Sequence, residues 1–473
     1  MRERRAVGAR IRRDPDGEDP KNDGGRQSLS REREETLVRR LVELGRKLGA
    51  DDVEVQLAVS TEFEVEVRQG EIEKLIQADS RGISLRVTKQ HRVSLTSTNE
   101  FDPNTLERLV EKAVRRAELA TEDPYSGPPE EFGSPVEPQS LDLFDPSLAE
   151  LMPEAKIKMA RETERIGLAL DSRISNSLGA WMSTVISSYW FANSRGVEHH
   201  FVSSLASLGL GLQAGDTDHR VEQYWWSTAR HLEDLESPEV VARKAVQRTV
   251  RELNPRKLKT MRAAVIFEPR MTAQLLSFLA SCVNGMLVYR GRSFLAGRLG
   301  DFVFGSNITV MDDGLLPRGL GSSPCDTEGV ASRKMTVVES GVLRSYLLNA
   351  YSARRLGLKT TGHASGQGVA PHNFYLKPEE ASPEEIVRST EKGLLLTRTL
   401  GHGTNPVTGE ISKGAYGLWI EKGEIAYPVS EITISGTLAE WLSRVDAIGN
   451  DLEFGSPIGG PTIRVQDVVI AGR

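Results

Sequence analysis

Apolar positions along this chain change period several times, and each change marks an element. From Glu35 to Leu48 they recur at helical spacing and predict an amphipathic helix. The period then drops to two. Val53, Val55, Leu57 and Val59 alternate with polar neighbours, as do Phe63, Val65 and Val67, then Ile83, Leu85 and Val87, then Val93 and Leu95. A meander of antiparallel strands with one buried face accounts for this, with turns expected at Gln69-Gly70 and Arg81-Gly82. Asp102-Pro103 supplies an N-cap and a first-turn proline to the helix TLERLVEKAVRRAELA, whose Leu106, Leu109, Val110, Ala113 and Val114 share one side.

The stretch from Asp123 to Ser140 is crowded with Pro, Gly and Ser and reads as a linker. Beyond it a helix is expected from about Ser147 to Leu170. Strands are expected around Trp181–Ala192, Glu198–Gln213 and His219–Arg230, and a helix from Pro238 to near Leu253. Asn254-Pro255 marks a boundary, followed by a helix near Met271–Val288 and many short strands punctuated by glycine. The expected class is α+β, with antiparallel sheets and packed helices. Two N-terminal α+β units (35–122 and 123–255, the second with its leading linker) precede a strand-rich C-terminal domain (256–473). Residues 1–34 carry charge, Gly and Asp with little apolar surface, so they are expected to form a disordered tail that a truncation at Glu35 removes without cost.

Composition narrows the classes. A net charge of -6 argues against a dedicated nucleic-acid binder. No run of eighteen apolar residues exists to span a membrane as a helix. Arg4-Arg5 has no apolar stretch behind it, so it does not read as a secretion signal. Two cysteines, Cys282 and Cys325, make no disulfide framework and fit a reducing, cytoplasmic location.

Five stretches carry more. They are FANSRGVE (Phe191–Glu198), MDDGLLPRGLGSSPCDTEG (Met311–Gly329), GTNPVTGEISKGAYGLWIEKGEIAYPV from Gly403, the overlapping KGEIAYPVSEITISG, and the earlier VRQGEIEKLIQADSRGISLRV (Val67–Val87). Their order and spacing resemble the TldD/PmbA family, once called modulators of DNA gyrase, and the third resembles the PmbA (TldE) branch. The resemblance implies a zinc peptidase in two subunits, with ligands on the TldD side from an HExxxH stretch after a strand and a cysteine near the C-terminus. Here the strand is Ala263–Phe267, and the stretch aligned by eye is Ser277-Phe278-Leu279-Ala280-Ser281-Cys282. Asn450–Val465 contains no cysteine, and no HExxH or HExxxH occurs anywhere. The resemblance therefore implies a chain with no metal and no catalytic residue of its own. Zinc is expected on a TldD-like partner in a heterodimer, with unfolded peptide as substrate. Two alternatives stay open: an active metallopeptidase homodimer with a different site, and a protein-binding regulator of DNA gyrase.

The remaining chemistry lies in loops. Of the eight histidines, His199 and His200 are adjacent in a strand and face opposite ways. His363 and His372 flank a Gly-rich loop, and His402 sits in another. A metal cluster of His363, His372 and His402 with Cys325 is one arrangement left open; loop histidines satisfied by backbone or water are the other. The loops expected to face peptide or partner contain His363, Gly366, Gly368, His372, His402, Gly403, Thr404 and Asn405. Asp312-Asp313 and Asp326/Glu328 read as turn-forming carboxylates. No Gly-x-Ser-x-Gly elbow or P-loop is present, and Gly209–Ala214 reads as strand rather than a dinucleotide fingerprint. Tyr224-Trp225-Trp226 reads as core packing with one exposed ring.

Overall fold

A computed structural model describes residues 23–215 and 220–472. Its first helix, α1 (Asp23–Lys47), starts twelve residues before the expected Glu35; the rest of the expected tail, residues 1–22, and His219 lie outside the described residues. The earlier start matters at Glu34, which is buried and accepts from Arg81 Nη2 at 2.6 Å. A truncation at Glu35 leaves Arg81 without that carboxylate. We expect it to cost about 1–3 kcal/mol, read as a lower thermal midpoint than that of the full chain.

Strands β1 (Asp52–Arg68), β2 (Glu71–Lys89) and β3 (Arg92–Thr98) form the expected meander. The turn at Gln69 (φ 53°) and Gly70 (φ 80°) is where the sequence places it. Arg81-Gly82 is not a turn. It lies inside β2 because β1 runs on uninterrupted beside it, pairing Val59 with Arg81 and Ala58 with Gly82. After α2 (Pro103–Leu119), capped by Asp102, the helix expected over 147–170 divides into α3 (Pro146–Glu150) and α4 (Pro153–Leu170). Pro153 forces the residue before it into extended backbone, which ends α3 and starts α4. Strands β4 (Ile174–Asn193), β5 (Glu198–Ala214) and β6 (Val221–Ala229) and helix α5 (Pro238–Val250) follow.

The two N-terminal units share one sheet. Its order is β3-β2-β1-β4-β5-β6, joined where β1 pairs antiparallel with β4 from Glu54↔Asn193 to Val67↔Ala180. Val53, Val55, Leu57, Ile83, Leu85 and Val87 bury one half of a single face with apolar residues of α1 and α2. Phe63, Val65 and Val67 bury the other half with α4 and α5.

The C-terminal part holds β7 (Met261–Phe267), α6 (Pro269–Cys282), α7 (Gly285–Val288), β8 (Val310–Asp313), β9 (Lys334–Glu339), β10 (Val342–Leu343) and α8 (Ala350–Leu356). There follow β11 (Ala364–Ser365), β12 (Gly368–Val369), β13 (Asn373–Leu376), α9 (Pro383–Arg388), β14 (Lys392–Leu400), β15 (Thr404–Asn405), β16 (Glu410–Glu421) and β17 (Glu424–Thr437). Last come α10 (Leu438–Ser443), β18 (Val445–Ile448), β19 (Glu453–Phe454), β20 (Ile458–Gly460) and β21 (Ile463–Ala471). One sheet runs β14-β7-β21-β17-β16 and returns to β14, so those five strands close on themselves; a second runs β10-β9-β8-β13-β20-β19. Helix α6 packs against strands of both, and its apolar residues stand in the largest core.

Candidate functional site

Where the resemblance aligns the metal-binding stretch, α6 is built for packing. Gln274, Ser277 and Ser281 lie along its exposed side, while Phe278, Leu279 and Cys282 are buried. Ser277 and Cys282 thus face different surroundings, as a five-residue step of about 140° on a helix requires. Burial pushes the Cys282 thiol up to about 12, which disfavours a thiolate ligand. The late segment offers no sulfur either. The residues present do not fit the family's zinc. A shallow groove beside this helix is lined by Gln274, Phe278, Thr399, Thr404 and Lys413, so Thr404 of the expected loop borders the same spot.

The other expected loop does something different. Asp312 of β8 is fully buried, and its Oδ1 lies 2.8 Å from His363 Nε2 and 3.0 Å from His372 Nδ1. Its Oδ2 accepts from the His372 backbone N–H at 2.9 Å. The outer ring nitrogens are met as well, His363 Nδ1 by Thr361 Oγ1 at 2.9 Å and His372 Nε2 by Ser332 Oγ at 3.2 Å. Hydrogen bonds from the two histidines outweigh the burial that opposes them and hold the Asp312 carboxyl well below its usual range. Burial pushes His363 down. These three are the cluster of potential metal ligands among the described residues, with ligand atoms within 4.8 Å of one another. Every ligand atom is already hydrogen-bonded, and the rings are shut from solvent. The arrangement therefore clamps both ends of the β11–β12 loop to β8. His402, which is exposed, and Cys325 are not part of it.

Asp312 is therefore not the turn residue the sequence suggested; it is the acceptor at the centre of the clamp. Asp326 does use the backbone, accepting from Glu328, Val330 and Ala364 at 2.9 Å each. Glu328 reaches across the molecule, with Oε1 3.1 Å from Arg86 Nη1 of β2 and Oε2 accepting from Ala350 N at 2.8 Å. The loop between them also accepts from Gln56 Nε2 at Thr327 O, 2.7 Å. Gly329 (φ 80°) is required here, since a Cβ would stand 2.5 Å from the Phe191 ring. Beside Arg86 lies Glu54, whose carboxyl is pushed up to about 7 by burial, with Arg86 offsetting only part.

The remaining expected residues make the following contacts. Gly366 (φ 57°) tops the β11–β12 hairpin, and its carbonyl accepts from Arg86 Nη2 at 3.2 Å. The Gly368 carbonyl accepts from Asn349 Nδ2 at 3.3 Å. Gly403 has Ser412 O only 1.6 Å from where a Cβ would be, so no side chain fits. Asn405 Oδ1 accepts from Val407 N at 3.0 Å. Tyr224 is the exposed ring of its trio, while Trp225 is buried. Arg270 stacks over Trp225 at 3.6 Å and Trp226 at 4.1 Å. Trp225 and Arg270 line a cleft of about 890 Å³ bordered by α5, the start of α6 and α9. Its Arg248 and Arg251 pair with Glu268 at 2.9 and 2.7 Å, so its charges hold α5 and the start of α6 together.

Three family models match the chain in succession: PmbA/TldA metallopeptidase domain 1 over residues 53–117, the central domain over 146–253 and the C-terminal domain over 260–472. The chain is 34% identical to the Metalloprotease PmbA of Escherichia coli O157:H7, over 90% of this chain and 93% of that protein. This chain belongs to the PmbA/TldD family. A Metalloprotease PmbA homolog of Haemophilus influenzae is 32% identical over 91% of this chain and 94% of its own. Among solved structures, a Bacteroides thetaiotaomicron protein described as a candidate modulator of DNA gyrase superposes with TM-score 0.86 at 25% identity, covering 93% of this chain and 98% of that one. TldE from Thermococcus kodakarensis shares the fold, with TM-score 0.84 at 22% identity over 92% and 99%.

Proposed function

We propose that this PmbA/TldD-family chain is the metal-free, TldE-like subunit of a two-subunit zinc peptidase acting on unfolded peptide in the cytoplasm. The observation that carries this is the α6 position, where an exposed serine, a buried Phe278 and a buried Cys282 replace the donors and the base that metal-assisted hydrolysis needs. The His–His–Asp cluster supports the same reading, because it is sealed and fully hydrogen-bonded and so offers no open position to a substrate. On this reading the chain supplies walls and backbone edges to a chamber whose zinc belongs to a TldD-like partner. On the same reading, the small groove bordered by Thr404 and Lys413 beside α6 belongs to those walls.

The test compares this chain, a zinc-bearing partner and their mixture on an unfolded peptide, with and without chelator. The chain alone is expected to be inactive, and the mixture to exceed the partner alone at least tenfold. Chelator-sensitive cleavage by this chain alone, at the rate of the mixture, sinks the assignment.

A further inference from the structure

The cleft of about 890 Å³ beside Trp225 combines an unbalanced charge with an apolar wall. Lys244 pairs with Glu236 at 2.6 Å, and Trp225 Nε1 donates to the same carboxylate. Arg248 and Arg251 share Glu268, and Arg270 Nε donates to Glu453 at 3.0 Å. Four cations around Trp225 and Glu268 thus meet three carboxylates, and one positive charge is left over. The surplus shows in the hydrogen bonds. Among the described residues Arg251 Nε and Arg270 Nη1 are buried and find no acceptor, which costs about 1–3 kcal/mol each when nothing compensates. Both side chains still reach the cleft surface, 27% and 14% exposed. Burial pushes the Arg270 guanidinium down, with Glu453 offsetting only part. Asp451 also lines the cleft, but both its oxygens accept from Thr462, and it forms no ion pair among the described residues. Glu384, Arg388 and Glu424 are exposed on the rim, where salt screens them.

The apolar wall is the open end of a small core. Ile266 and Leu395 line the cleft and belong to the cluster that Ile386, Leu418 and Ile420 complete. Val387 packs against that cluster. Ile425 lies opposite Ile420 in register, and therefore on its face, yet is 51% exposed.

We propose that this cleft binds a monocarboxylate carrying a short apolar body, with its head beside Arg251 and Arg270 and its body against Val387 and Ile425. A guanidinium presents planar N–H donors that suit a carboxylate. One surplus positive charge matches one negative head. Glu268 and Glu453 stand close by and repel a second negative charge, which disfavours phosphate. A cavity of this size takes a molecule as large as a dipeptide. Two sources share the chemistry: the free C-terminus of a short apolar peptide and a medium-chain fatty acid. On the peptidase reading the first is a product, since each peptide bond cleaved leaves a new carboxylate. Binding here needs neither zinc nor a partner, so this proposal and that reading fail separately.

The test titrates the full chain calorimetrically with four probes: N-acetyl-alanyl-leucine, its C-terminal amide, octanoate and inorganic phosphate. The acid peptide or octanoate is expected to bind about tenfold tighter than phosphate, and the amide about tenfold weaker than the acid peptide. Tighter binding of the peptide names a peptide terminus as the source, and tighter binding of octanoate names a fatty acid. Arg251→Lys keeps a cation beside Glu268 but removes the Nε donor and the planar fork, and is expected to weaken binding about fivefold. Ile425→Ser, on a half-exposed residue, is expected to weaken it about threefold at an unchanged thermal midpoint. It also serves where Arg251→Lys fails to fold. Leu119→Ser, on a residue 87% exposed in α2, is the control. Absence of binding by both carboxylates overturns the proposal. So does phosphate or the amide binding as tightly as the acids, or binding that a folded Arg251→Lys or Ile425→Ser leaves unchanged.

Discussion

Asp312→Ala is expected to destabilise the chain by about 3–5 kcal/mol, the range for removing the acceptor from a buried charged network. Three donors lose their partner at once: His363 Nε2–H, His372 Nδ1–H and the His372 backbone N–H. All three are buried, so water does not readily replace the carboxylate. Asp312→Asn keeps the shape but turns an amide towards one of those donors, and a smaller loss, about 2 kcal/mol, is expected. Urea unfolding measures both, with an unchanged slope marking a change in stability rather than in compactness. A loss under about 1 kcal/mol for Asp312→Ala shows that the cluster does not hold the β11–β12 loop, and leaves its burial without this explanation.

Much of the fold could be read locally, because the period-two face of β1 and β2 is the buried face. Gly82 was misleading, since a glycine between apolar runs suggests a turn while the continuous partner strand keeps it extended. Asp312 was hidden for a related reason. Two carboxylates before a glycine look like a turn, yet Val310 and Asp312 both point inward along β8. Its histidines arrive from 51 and 60 residues further on, a separation that no local pattern encodes. Glu54 occupies the polar side of the β1 alternation and reads as solvent-facing, until the Asp326–Gly329 loop covers it. The resemblance alone set Ser277, Phe278 and Cys282 where metal donors were expected; the structure adds that Ser277 and Cys282 face apart.

Glu54 is expected to withdraw stability as pH rises from about 5 to 8, and the cause lies where β1 and β2 meet that loop. Glu54, Asp326 and Glu328 share one guanidinium, Arg86, with the Tyr189 hydroxyl and the Cys325 thiol also facing them. Burial and Glu328 push Asp326 up, and burial pushes Glu54 up to about 7. The folded chain thus keeps a proton on Glu54 that the unfolded chain sheds near its ordinary value of 4.5. That contribution is fully present below 4.5 and is lost as pH rises through about 7. A difference of this size amounts to about 3 kcal/mol for Glu54. The Asp312 cluster acts in the opposite sense. Asp312 and His363 are both depressed, so their contributions fade as pH falls below the ordinary ranges of a carboxylate and a histidine. Glu54→Gln separates the two limbs, because it mimics the protonated acid. Urea unfolding should find the variant within about 0.5 kcal/mol of the parent at pH 5 and about 2–3 kcal/mol more stable at pH 8. If Glu54→Gln lowers stability equally at both pH values, Glu54 is ionised in the folded chain throughout, and the Arg86 pair rather than a retained proton holds this junction.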